Sequence, residues 1–187
     1  MYATPNDKKG DEVGVRRLVT GQGAGGNSVI VSDEEVEPVT AALLPGGGFY
    51  GLWGGDETVK LPHDGTPPAS VGWFPPVGGF RFAVVVFGSE GAAPAAEFDM
   101  EAAIAELRDK VPGLVETLEP DNPEMHTTDT IDFNFIVSGE IYLELDGGVE
   151  RLLRAGDCVI QNGTRHAWHN RSSEPCTVAV AIVGAAR

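Results

Sequence analysis

The chain has 187 residues, 42% apolar and 22% charged, enough for one well-packed domain of about 150 residues plus an extension and too apolar for wholesale disorder. Glycine and proline fill 25 and 13 positions against 7% aromatics, a balance that favours short strands and turns and excludes a helix bundle. The formal charge of −15 repels phosphate backbones and anionic membrane surfaces, so no nucleic acid and no membrane is expected as a partner.

Residues 1–14 (MYATPNDKKGDEVG) are polar and lack the apolar stretch of a signal peptide, and no run of 18 apolar residues exists anywhere. A flexible N-terminus and a cytoplasmic protein are expected. Short β-like runs follow at 15–21, 28–33, 39–44 and 49–55, separated by Gly-rich turns. GQGAGG lacks a following helical period, so it is not a dinucleotide fingerprint, and no nucleotide cofactor is expected. Residues 56–79 hold five of the thirteen prolines and read as an irregular loop containing His63. GFRFAVVVFG (79–88) reads as a buried strand. One helix is predicted over 99–111, with Asp99 as N-cap, an apolar stripe of Met100, Ala103, Ile104 and Leu107, and Pro112 as its stop.

From residue 125 the pattern is strand after strand, with turns at Ser138-Gly139, Asp146-Gly147-Gly148 and Ala155-Gly156-Asp157. This spacing predicts an all-β sandwich or small barrel. The expected organisation is a flexible 1–14, a β extension with its Pro-rich loop and helix over 15–119, and a barrel core over 120–187, in one compact domain. Cys158 and Cys176 sit in apolar strand contexts and are expected to be buried, inert thiols. Neither is placed beside a histidine, and Ser138-Gly139 lacks a nucleophile elbow, so hydrolysis by serine or cysteine has little support.

Three of the four histidines, His126, His166 and His169, lie in the C-terminal part, where most of the negative charge does not. Strand parity places Asp132, Asn134 and Ile136 on one face and Phe133, Phe135 and Val137 on the other. Parity also groups His166 with Trp168 and Asn170, and turns His169 outward. Burying Asp and Asn without partners costs several kcal/mol, so an inward face carrying them lines a polar pocket.

The segments HTTDTIDFNFIVSGEIYLELDGG and RAGDCVIQNGTRHAWHN resemble the two motifs of the cupin superfamily, jelly-roll barrels of the double-stranded β-helix type. In that comparison Asp132 takes the place of the first motif's Glu ahead of Gly139. His126 takes the place of its first His, and Thr128 stands where a second His is usual. Gly156, Gly163, His166 and Asn170 fall on the second motif, with Gln161 in place of Pro.

The resemblance implies a cupin barrel with extra N-terminal strands and one peripheral helix. It also implies a divalent metal (Fe, Mn, Ni or Zn) on His126, Asp132 and His166. Asp132 and His166 are then the candidate catalytic residues, and Thr128, Asn134, Gln161 and Trp168 the candidate substrate contacts. The implied function is a metal-dependent enzyme on a small organic molecule: a dioxygenase, or a non-redox lyase, dehydratase or isomerase. A non-catalytic small-molecule-binding module, in which the apolar pocket is real and the incomplete ligand set reflects a lost metal, is the alternative; without any ion, His126 would be a loop histidine and His166 a core imidazole hydrogen-bonded to Asp132. A regulator acting through a DNA-binding partner is a weaker one, and a homodimer is expected.

Overall fold

The computed structural model describes residues 14–92 and 99–187; the expected flexible N-terminus lies, except for Gly14, outside the described residues. β1 (Val15–Gln22) and β2 (Ser28–Val36) form an antiparallel hairpin across the Gly-rich turn. Arg16–Asp33 and Arg17–Glu34 ion pairs cross it.

The run at 39–44, expected as a strand, is not one. Val39 makes a single bridge to Phe49, and the chain then turns, Leu44 N–H donating to the Ala41 carbonyl at 2.9 Å. Pro45 offers no N–H and Gly46 sits at φ +69°, so the segment breaks before a ladder can form.

β3 (Gly48–Gly55) and β4 (Phe80–Phe87) bracket the Pro-rich loop. Helix α1 (Met100–Lys110) starts at Asp99, whose carboxylate accepts from the Glu101 and Ala102 N–H groups, as predicted. Its buried side is Ala103 and Leu107, whereas Met100, expected in the stripe, is 55% exposed. Met100 opens the first turn, ahead of the residues that reach the protein. Leu107 and Val111 pack with Phe49 and Ala41, which fixes the helix against β3.

The remaining strands are β5 (Leu118–Glu119), β6 (Asn122–His126), β7 (Thr130–Ser138), β8 (Glu140–Leu145), β9 (Val149–Arg154), β10 (Cys158–Asn162), β11 (Ala167–His169) and β12 (Cys176–Gly184). An antiparallel five-stranded sheet runs β10-β7-β12-β4-β3, and a three-stranded sheet runs β11-β8-β9. The core lies between them: Ile136 and Val178 of the first meet Ile141, Leu153 and Trp168 of the second, with Cys176 and Phe87. Gly139 makes the β7–β8 turn at φ +74°, where an added Cβ would stand 2.6 Å from the Pro175 carbonyl oxygen, so glycine is required there on two counts.

Among the described residues nothing covers the far side of the five-stranded sheet, which is apolar. Ile160, Phe133, Ala181 and Phe82 form one cross-strand row, and Cys158, Phe135, Ala179 and Val84 the next. Phe82, Phe133, Phe135 and Ile160 are 46–50% exposed. Cys158 faces solvent here, contrary to the expectation that it is buried, because its parity is that of Phe135 and Ile160. Cys176 is buried as expected, and burial raises its thiol to about 11.

Candidate functional site

On β7 the buried residues Thr130, Asp132, Asn134 and Ile136 alternate with the more exposed Ile131, Phe133, Phe135 and Val137, the parity expected of a strand with one face inward. Register places Gln161 of β10 and Ile182 of β12 beside Asp132, and Val159 and Val180 beside Asn134. Gln161 is 3% exposed, and its amide donates to Thr164. Thr128, 4% exposed, shares a hydroxyl hydrogen bond of 2.7 Å with Thr130.

His126 closes β6 and pairs with His166 through two backbone hydrogen bonds of 3.0 Å each. This brings the imidazole centroids to 4.2 Å at an interplanar angle of 50°. His166 Nδ1 lies 2.9 Å from the Thr164 carbonyl oxygen. A carbonyl only accepts, so Nδ1 carries the proton and Nε2 keeps a lone pair. Among the described residues no hydrogen bond joins His166 to Asp132, so the metal-free pairing of those two is not formed. Among the described residues His126 Nδ1 and Asp132 Oδ1 are buried without a hydrogen-bond partner, each an unmet polar group that costs about 1–3 kcal/mol.

Burial, reinforced by His166, pushes the His126 imidazole down to about 4. Burial also lowers His166, against the Thr164 carbonyl. It raises the Asp132 carboxyl, against a hydrogen bond from Thr130. Both imidazoles are therefore neutral near pH 7, the form that binds a cation.

The three donor groups are not drawn into one tight set. Among the described residues, the His, Cys, Asp and Glu donors that all lie within 4.8 Å of one another are those of Glu144, Glu150 and His169. Strand parity turns His169 outward, toward a surface or dimer-contact role rather than that of a ligand. The β8–β9 hairpin puts Glu144 opposite Glu150, and His169 Nε2 reaches Glu144 at 2.8 Å. The Asp146-Gly147-Gly148 turn was the signal from which that acidic pair could have been read. Arg171 pairs with Glu150 and stacks 4.8 Å over Tyr142, so the charge of this cluster is partly met from within.

Two cavities bear on ligand binding. One of about 240 Å³ is lined by Trp168, Asn170, Phe87 and Leu44 among others, and the Trp168 ring stands 6.0 Å from that of His166, edge-on at 87°. The other, of about 310 Å³, lies at β3, the Pro-rich loop and the end of α1. Neither is lined by His126, Asp132 or His166. Trp168 lines the smaller cavity and stands next to His166. Asn170 satisfies turn backbone, donating to the Phe87 and Glu174 carbonyls at 3.1 and 2.8 Å ahead of β12.

Residues 114–183 match the family model described as Cupin domain. Oryzines biosynthesis cluster protein J of Aspergillus oryzae is 46% identical over 50 residues, 27% of this chain and 28% of that protein. The cupin-domain-containing oxidoreductase fogC of Aspergillus ruber is 31% identical over 70 residues, 37% of this chain and 31% of that protein. The matches thus span about a third or less of these relatives' length. Among solved structures, the Schizosaccharomyces pombe Cnp3 cupin domain aligns over 90% of this chain and 87% of its own, at 11% identity and a TM-score of 0.47. Among the described residues no helix is long and apolar enough to cross a membrane. With the motifs of β6–β7 and β10–β11 in place on a mostly β framework, residues 114–183 carry a cupin domain.

Proposed function

We propose that the chain is a cupin-type enzyme acting on a small organic molecule, with a divalent ion held by His126, His166 and Asp132. The observation that carries the reading is the buried pair of imidazoles 4.2 Å apart, with His126 Nδ1 and, on β7, Asp132 Oδ1 left without partners among the described residues. Two imidazoles and one carboxylate suit Fe, Mn, Ni or Zn. The Thr164 carbonyl supplies the outer hydrogen bond that orients a ligating histidine. A bound ion would supply Lewis acidity toward a substrate oxygen. The protein's own part is to hold His166 Nε2 unprotonated and to present the second Asp132 oxygen as the group that takes or returns a proton. Trp168 and the 240 Å³ cavity give the organic part a wall beside His166. The names of the cupin-domain oxidoreductase relatives support redox chemistry over the non-redox options.

Elemental analysis of untagged protein tests this. About one ion per chain is expected, lost in His126→Ala and in His166→Ala but kept in His169→Ala. A wild type free of metal that still binds its ligand would establish the non-catalytic module instead. Loss in His169→Ala alone would move the site to Glu144 and Glu150.

Two copies are proposed to pair through the bare face of the five-stranded sheet. Four strands about 4.8 Å apart and a five-residue run of about 3.4 Å per residue give roughly 14 by 17 Å of contiguous apolar surface, the centre of an interaction site. Its two cross-strand rows carry no charge. In a chain of −15, that is where a second copy can approach without repulsion, the rim completing an interface of about 800 Å² a side.

A further inference from the structure

We infer that the 310 Å³ cavity at β3 is a second binding site, for a small planar aromatic carboxylate. Its chemistry departs from that of the rest of the molecule. The chain carries 28 Asp and Glu against 13 Lys and Arg, yet the cavity is lined by Arg17, Arg81 and Lys110 and by no acidic residue. Its apolar walls include Phe49, Trp53 and Trp73, the rings of Phe49 and Trp73 meeting edge to face at 4.8 Å and 75°. Two of the chain's three tryptophans are therefore spent on this one space.

Donor accounting separates the three cations. Arg81 is committed to the fold: Nε donates to the Gly72 carbonyl, one terminal nitrogen to the Gly55 and Phe80 carbonyls, and the other to Asp56. Arg17 gives its terminal nitrogens to the Leu52 carbonyl and to Glu34, and its Nε–H is buried without a partner. Lys110 uses two of its three donors, on the Thr40 carbonyl and Glu106. An acceptor on the ligand meets the spare Lys110 donor, and a small shift of the Arg17 side chain brings its enclosed Nε–H to the same acceptor. At about 30 Å³ per water-sized unit, 310 Å³ holds about ten such units, the scale of a two-ring acid. A flat ring uses the aromatic walls better than a branched chain does.

Gly51 also lines the space, and a Cβ added there meets nothing within 4 Å. A larger side chain at 51 therefore plugs the cavity while leaving the strand intact.

The test is isothermal titration of the full chain with 2-naphthoate and, as the uncharged control, 2-naphthylmethanol. Wild type is expected to take up one naphthoate per chain, with the alcohol at least tenfold weaker. Arg17→Lys, which keeps the charge and removes the Nε–H, should weaken naphthoate at least tenfold and leave the alcohol unchanged. Gly51→Leu should abolish both, and His166→Ala should change neither. The inference is overturned if wild type shows no saturable binding, if naphthoate binds Arg17→Lys or Gly51→Leu as it binds wild type, or if His166→Ala removes it.

Discussion

The acid response of the metal-free protein follows from His126. Its imidazole falls from the usual 6.5 to about 4 in the folded state, because burial and the neighbouring His166 both oppose a second positive charge. A group depressed on folding takes up its proton first in the unfolded chain. Its contribution is therefore complete above pH 6.5 and lost as pH falls toward 4. At about 1.4 kcal/mol per pH unit, the drop corresponds to about 3 kcal/mol in all, of which about 2 kcal/mol is gone by pH 5. His166 is shifted in the same direction and adds to the loss. Asp132 is shifted upward, so its term has the opposite sign: it is favourable below the usual carboxylate range and fades as pH rises through the folded value. The assay is urea unfolding of chelator-treated protein at pH 7, 6 and 5, comparing wild type with His126→Asn, which cannot titrate. The stability of wild type relative to His126→Asn should fall by about 2 kcal/mol from pH 7 to pH 5. A gap that stays constant across that window would refute the burial argument for His126.

Two further outcomes are expected. Gly139→Ala places a Cβ at φ +74° and 2.6 Å from the Pro175 carbonyl oxygen. It should cost at least about 2 kcal/mol in urea unfolding, and a cost under about 0.5 kcal/mol would mean the β7–β8 turn is built otherwise. Phe135→Glu, on the bare sheet face where Phe135 is 48% exposed, should leave the folded monomer's far-ultraviolet spectrum unchanged and convert a dimer to a monomer in sedimentation equilibrium. A wild type that is monomeric at 100 µM would remove that interface.

Local rules reach some of these features and miss others for definite reasons. The inward set of Asp132 and Asn134 against the outward Phe133 and Phe135 follows from a period of two, which a single strand carries in its own sequence. Asp99 as helix cap is equally local, since the capping hydrogen bonds reach only the next turn. The run at 39–44 reads as a strand by composition, and only Pro45, together with the lack of any partner beyond Phe49, stops it. Cys158 looked apolar in context, but whether the outward side of β10 is covered depends on a second layer that the strand itself does not encode. The Glu144–Glu150 pair was derivable from its hairpin. The cavity at β3 was not, because Arg17, Trp53, Trp73 and Lys110 converge from four separate segments.

The pairing of His126 with His166 also bears on why the site is built as it is. Stability alone would favour an arrangement in which Asp132 accepts from an imidazole N–H, since that would satisfy two buried groups at once. The fold instead gives the His166 Nδ1 proton to the Thr164 carbonyl, aims no donor at Asp132 Oδ1, and leaves His126 Nδ1 unmet. The backbone bridge between the two histidines locks this in, because 3.0 Å hydrogen bonds in both directions fix each ring's attachment point. Two lone-pair-bearing imidazoles and an unmatched carboxylate oxygen are a poor solution for a core and a suitable one for a positively charged guest. Apolar replacement of all three residues should therefore raise the stability of the metal-free protein while abolishing ion binding. A triple variant that is less stable than metal-free wild type would show that these groups serve the fold.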